Sequence, residues 1–193
     1  IVELILDEEQ EEAGIEAISI VESPAIESDF IALAEEIKLA EIDKEKQILL
    51  GALLIPNKPI YRSGEEGEYY IFFSKDTVVK ASQMYLKNGY QNNSTLEHEK
   101  ALDGLTLVES WIVEDEVHDK SRKYGLNLPV GTWMGSVKVN NKQIWDEYIL
   151  SGKCKGFSIE GYFADKMEQP KKLAEEGLSI DDETLDKIKN ILS

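Results

Sequence analysis

The sequence predicts a β-rich α+β domain, and three observations point there. Short apolar runs rich in β-branched and aromatic residues recur from Ile48 to Phe163, separated by Gly, Pro, Asn and Asp. Only a few helical stretches lie between them, without the regular strand–helix alternation of a doubly wound sheet. At 193 residues and 42 % hydrophobic, the chain supplies one core with appendages rather than two full domains.

Taken in order, residues 1–47 form an acid-rich segment that includes Asp7-Glu8-Glu9-Gln10-Glu11-Glu12. Within it, Ala17-Ile18-Ser19-Ile20-Val21 is a β-like phrase closed by Ser23-Pro24. Asp29 to Gln47 carries Phe30, Leu33, Ile37 and Ile42 at near-helical spacing, which predicts an amphipathic helix. The folded core is expected over residues 48–165. Strands are predicted over Ile48–Ile55, Tyr69–Ser74, Leu105–Glu114, Thr132–Val139 and Gly156–Phe163, and helices over Lys75–Asn88 and Gln143–Ser151. Trp111, Trp133 and Trp145 fall inside these elements among apolar neighbours and read as core. Residues 166–193 are a linker, polar from Ala164 to Gly177, followed by a C-terminal helix opened by Ser179-Ile180-Asp181-Asp182. No domain-sized repeat is present.

The charge balance excludes several functions. With 38 acidic and 21 basic residues the net charge is −17, which opposes the phosphate-backbone contacts that bind nucleic acid. No apolar run approaches the roughly 20 residues of a membrane helix, and the opening Ile1–Leu6 lacks the pattern of a signal peptide. One Cys and two His cannot build a disulfide framework or a structural zinc site, so neither metal nor cofactor is expected. The single Cys154 suits a reducing compartment.

Few residues can carry chemistry. His98 lies in the polar loop Leu96-Glu97-His98-Glu99, and His118 in a charged stretch that reads as a surface turn. Ser158 lies in Gly156-Phe157-Ser158-Ile159-Glu160-Gly161, which lacks the Gly-x-Ser-x-Gly spacing of a nucleophile elbow. By strand alternation Leu105, Leu107, Glu109, Trp111 and Val113 share a face, which sets Glu109 among apolar side chains. A carboxylate so placed needs a partner, and an imidazole or a lysine would serve.

Together, the Leu96-Glu97-His98 loop, the strand Leu107 to Asp115, the strand Gly131 to Val139, Ile144-Trp145 and the Gly156–Gly161 strand resemble the prohead (procapsid maturation) serine proteases of tailed bacteriophages. The lead-in Gly14 to Ile26 is similar to one branch of that family, and the resemblance covers roughly residues 14–165. It implies a herpesvirus-assemblin-like fold, a barrel-like β core wrapped by helices. It implies an endopeptidase that cleaves phage scaffold and capsid proteins, works inside the procapsid assembled in the host cytoplasm, and self-associates.

By the family pattern Ser158 is the nucleophile and His98 the general base. Glu160 stands where the commoner pattern has Gly. Glu109 is the expected third member, with Asp115, Glu160 and His118 as alternatives, and backbone N–H groups near Gly135 or Gly156 would hold the oxyanion. Leu33-Ala34-Glu35, Leu39-Ala40-Glu41 and Leu173-Ala174-Glu175 match the Leu-x-Glu steps such enzymes cut and are candidate self-processing sites. A non-catalytic capsid-assembly or tail-tube-like protein on a related fold is the competing reading. A Ser–Lys hydrolase using Lys153 or Lys155 is a third, and it leaves His98 without a role.

Overall fold

The longest apolar run of the core becomes the strand around which the molecule is organised. The computed structural model describes residues 1–6, 13–26, 31–33, 46–64 and 67–165. In chain order these give β1 (Val2–Ile5), β2 (Gly14–Val21), β3 (Ile31–Leu33), β4 (Ile48–Leu54), β5 (Ile60–Gly64), β6 (Gly67–Phe73), α1 (Lys75–Lys87), β7 (Ser94–Leu96), β8 (Lys100–Leu102), β9 (Leu105–Ile112), β10 (Trp133–Val139), α2 (Lys142–Ile144), β11 (Gly156–Tyr162) and β12 (Ala164–Asp165). Trp145–Ile149 continues α2 as a π-helical turn closed by Leu150 N–H on Trp145 O at 2.9 Å.

The strands form three four-stranded sheets, ordered β12-β1-β6-β5, β3-β4-β10-β9 and β11-β2-β7-β8. The α+β class and its β-rich character therefore stand. The barrel does not: among the described residues each sheet is open at both ends. Only α1 is a helix of substantial length there, so among the described residues helices do not wrap the core.

Strand β4 is buried on both faces, with Leu49, Leu50, Leu53 and Leu54 at 0 % exposure, which is why it reads as an unbroken apolar run. Against this core α1 lays Val78, Ala81 and Tyr85, a helical spacing of three and four. Ser74 caps the helix by accepting from Thr77 N–H. The Tyr85 ring meets Trp133 edge-on at 5.6 Å, and burial pushes the Tyr85 phenol well above its usual pKa. Trp133 and Trp145 are buried as expected, whereas Trp111 is partly buried and donates to Asp119.

The segment before residue 48 is part of these sheets. β1 pairs parallel with β6, and β2 lies between β11 and β7. Ile31–Leu33, inside the expected amphipathic helix, is instead a strand paired antiparallel with β4. Its Ile-Ala-Leu finds a ready strand edge, and tertiary pairing overrides local helix propensity. Lys46 and Gln47 at its end are not helical, and the rest of that expected helix lies outside the described residues, as do the C-terminal helix and most of the linker; Ala164–Asp165 is paired with β1.

Candidate active site

The site forms on the sheet β11-β2-β7-β8, and strand register decides which side chains meet. Ser158 on β11 lies opposite Ser19 on β2, and Ser19 lies beside Thr95 on β7. Directly opposed residues project to the same face, so Ser158, Ser19 and Thr95 form a polar row across three strands. Phe157, Ile20 and Leu96 occupy the opposite face and are buried in the core. Glu160, two residues beyond Ser158, returns to the polar face opposite Ala17. Ala17 is small enough for the Glu160 carboxylate to cross β2, where Thr95 Oγ1 donates to Glu160 Oε1.

The turn between β7 and β8 brings His98 to the same carboxylate. His98 Nδ1 lies 3.2 Å from Glu160 Oε1, with the side chains 42 % and 29 % exposed. A carboxylate only accepts, so Nδ1 carries a proton, and in the neutral imidazole Nε2 presents a lone pair. The turn is anchored from below, where His98 N–H donates to Ser19 Oγ at 3.0 Å and Glu97 N–H to Ile20 O at 3.2 Å. His98 and Ser158 line one cavity of about 420 Å³, together with Glu22, Ser23, Glu97 and Arg62. A second cavity of about 270 Å³ also reaches Ser158, walled by Leu53, Leu54, Ile60, Ile71 and Phe73. Ser158, Ile159, Ala25 and Arg62 line both, so a polar cavity and an apolar one meet at Ser158.

Gly161 fixes the course of β11 just past Glu160. The register shifts between Glu160 and Gly161, so Glu16 is an extra residue on β2. A Cβ at Gly161 would lie 2.0 Å from Gly14 O, an approach only glycine permits. Gly135 has a different purpose from the one expected of it. It lies on β10, in another sheet, and a Cβ there would strike Leu107 and Leu53 at 2.7 and 2.8 Å, so core packing explains it.

Glu109 does not join Ser158 and His98. Its carboxylate accepts from Lys120 Nζ at 2.7 and 2.5 Å and from Ser136 Oγ at 2.6 Å. The Lys120 ammonium, then the Ser136 hydroxyl, hold its carboxyl below the usual range. The cause of the misplacement is a β-bulge. Glu109 pairs with Ser136 but Leu107 with the next residue, Val137, so Val108 is extra and the alternation inverts. Glu109 therefore leaves the face of Leu105 and Leu107 and stands with Ser136.

His118 is exposed and pairs with Asp115 at 3.0 Å in a local turn. That turn, chiefly the His118 ring and then the Val117 and His118 N–H groups, holds Asp115 down at about 2. Both residues lie within one surface turn and line neither cavity.

Of the residues named from the sequence, Ser158, His98 and Glu160 come together on this sheet, while Glu109, Asp115 and His118 lie elsewhere. Ser19, which accepts from His98 N–H, Thr95, which donates to Glu160, and Glu97 in the same turn were not among those named. A usable signal existed for Glu160, since residues two apart on a strand share a face. Ser19 was visible as the lone hydroxyl in Ala17-Ile18-Ser19-Ile20-Val21. Thr95 and Glu97 had no signal short of the strand pairing.

A family model described as "Putative phage serine protease XkdF" matches residues 35–168, a span that includes His98, Ser158 and Glu160 and leaves out β2. No curated protein and no solved structure matches the chain. Among the described residues no helix is long and apolar enough to cross a membrane. With more than half of its length matched, the chain belongs to this phage serine protease family.

Proposed function

We propose that the chain is a serine endopeptidase in which Ser158 is the nucleophile, His98 the general base and Glu160 the residue that orients the imidazole. The observation that carries this reading is an imidazole held by a carboxylate on the cavity that Ser158 lines. A serine hydroxyl is a weak nucleophile without an adjacent base. With Nδ1–H held by Glu160, Nε2 of His98 takes the Ser158 proton as Oγ attacks the scissile carbonyl. The imidazolium, stabilised by the carboxylate, then protonates the leaving amine, and water repeats the sequence to release the acyl group.

Substrates on this reading are phage scaffold and capsid proteins, cut inside the procapsid by a self-associating enzyme. The two cavities that meet at Ser158 suit an extended peptide with an aliphatic side chain on the apolar side. Among the described residues Arg62 is the one Lys or Arg side chain lining either cavity, and it suits an acidic neighbour. Leu-Ala-Glu steps carry both features. Those at 33–35, 39–41 and 173–175 are the proposed self-processing sites.

The test is incubation of the wild type and Ser158→Ala with a Leu-Ala-Glu peptide, followed by mass spectrometry. Cleavage after Glu by the wild type alone supports the reading. Cleavage by neither, under conditions that promote self-association, favours a non-catalytic assembly protein.

A further inference from the structure

His98 stands on an unfavourable backbone. Glu97 and His98 have φ of 52° and 61°, and Glu99 N–H closes the turn on Leu96 O at 3.0 Å. Two successive positive φ values are the mark of a type I′ turn, which favours Asn and Gly. Here neither position has such a residue, and left-handed backbone is disfavoured for both. The surroundings must therefore hold the turn.

We propose that Glu97 is a positioning residue whose carboxylate clamps this strained turn, and so His98, to the strand that carries Ser158. Glu97 Oε1 accepts from Glu22 N–H at 2.7 Å and from the Cys154 thiol at 3.8 Å. Glu22 directly follows β2, and Cys154 stands two residues before β11 and four before Ser158. Lys155 N–H joins these segments by donating to Val21 O at 2.8 Å. One carboxylate oxygen thus ties together the turn, the end of β2 and the lead-in of β11. Burial, then the negative charge of Glu97, pushes the Cys154 thiol up to about 11, so it stays protonated and able to donate. The division of labour is clear: Glu160 orients the ring of His98, and Glu97 orients its backbone. The catalytic consequence rests on the protease reading; the clamp itself does not.

The test uses the full chain as wild type, Ser158→Ala, Glu97→Ala and Glu97→Gln, with two readouts. One is the rate of Ser158 labelling by a fluorophosphonate. The other is the imidazole region of the proton–carbon NMR spectrum, which holds two histidines and is assigned with His118→Ala. In Glu97→Ala the His98 resonance should shift or split and labelling should fall about 10- to 100-fold, since a displacement near 1 Å can cost that much. Glu97→Gln keeps the acceptor oxygen and should retain one His98 resonance and most of the labelling rate.

An unchanged His98 resonance in Glu97→Ala overturns the clamp, as does a Glu97→Gln protein that behaves like Glu97→Ala. If Glu97→Ala does not fold, Glu97→Leu decides. Leu fills a similar space, gains nothing in the left-handed turn and offers no acceptor to Glu22 N–H, so an unchanged His98 resonance there also overturns the proposal. A wild type that is not labelled, with the resonances moving as stated, sinks the protease reading and leaves the clamp standing.

Discussion

Two carboxylates in this molecule have almost the same company and opposite chemical prospects. Glu109, on the sheet of β9 and β10, accepts from a hydroxyl, Ser136, and a base, Lys120. Glu160, on the sheet of β11 and β7, also accepts from a hydroxyl, Thr95, and a base, His98. The difference lies in the base and in what lies beyond it. A charged ammonium has no acceptor site and cannot take a proton from a serine. An imidazole bound through Nδ1 keeps a free acceptor at Nε2, and His98 faces a cavity with Ser158 on its wall. The composition of a triad is therefore no evidence for one; the exchangeable proton and the adjoining space are.

The largest effects should break the Glu160 side of this comparison. Ser158→Ala and His98→Ala should each lower kcat by roughly 10⁴- to 10⁶-fold, as removal of one member of a catalytic unit does. The same substitutions should leave the thermal midpoint nearly unchanged, since both side chains are only half-buried or exposed. Peptide hydrolysis followed by mass spectrometry reads the first effect and calorimetry the second. Glu160→Gln should lower kcat by roughly 10²- to 10⁴-fold with a smaller change in KM, because the amide can no longer stabilise an imidazolium. Glu109→Gln should lower kcat less than twofold. Equal losses at Glu109 and Glu160 would erase the distinction drawn between them.

Both sides of the comparison depend on a β-bulge, and this explains what the sequence could and could not disclose. The strands of the core were legible, because burial on one or both faces leaves a local apolar pattern, as in Ile48–Leu54 and Gly156–Tyr162. So was α1, from its cap and its Val78, Ala81 and Tyr85 spacing. A bulge leaves no such mark. Nothing in Leu107-Val108-Glu109 says that Val108 is extra, yet that one residue turns Glu109 away from the face of Leu107. Short strands such as Ser94–Leu96 are equally silent, since three residues give no period, and their place beside β2 is a long-range pairing. Ser158 and His98 were named through their resemblance to a family, and the pairing of His98 with Glu160 follows only from register.

Gly161 allows the bulge on the Glu160 side to be tested directly. Gly161→Ala should destabilise the fold by roughly 1–3 kcal/mol, a typical cost of overpacking, because the added Cβ meets backbone that cannot rotate away. It should also lower kcat, because β11 must move off β2 one residue past Glu160. Chemical denaturation and kinetics on the same samples check both. A variant as stable and active as the wild type would mean that the bulge does not hold Glu160 in place.

The smallest effect belongs to the Glu109 side, and its sign is fixed by linkage. The folded state holds the Glu109 carboxyl below its usual range, chiefly through Lys120 and then Ser136. The unfolded chain therefore binds that proton more readily than the native one. The stabilisation is complete above the ordinary carboxylate range, near pH 4.3, and is lost as pH falls through the lower native value. With the Glu109 side chain 49 % exposed, solvent screens the pair, and a surface ion pair contributes about 0.5 kcal/mol. Wild type should thus melt about 1–2 °C above Glu109→Gln near pH 7, with the gap closing as the pH drops below 4. A gap that widens in acid would mean that the carboxyl is held above its usual range. Lys120 and Ser136 would then not be its partners, and the claim that Glu109 is engaged away from His98 would fail with them.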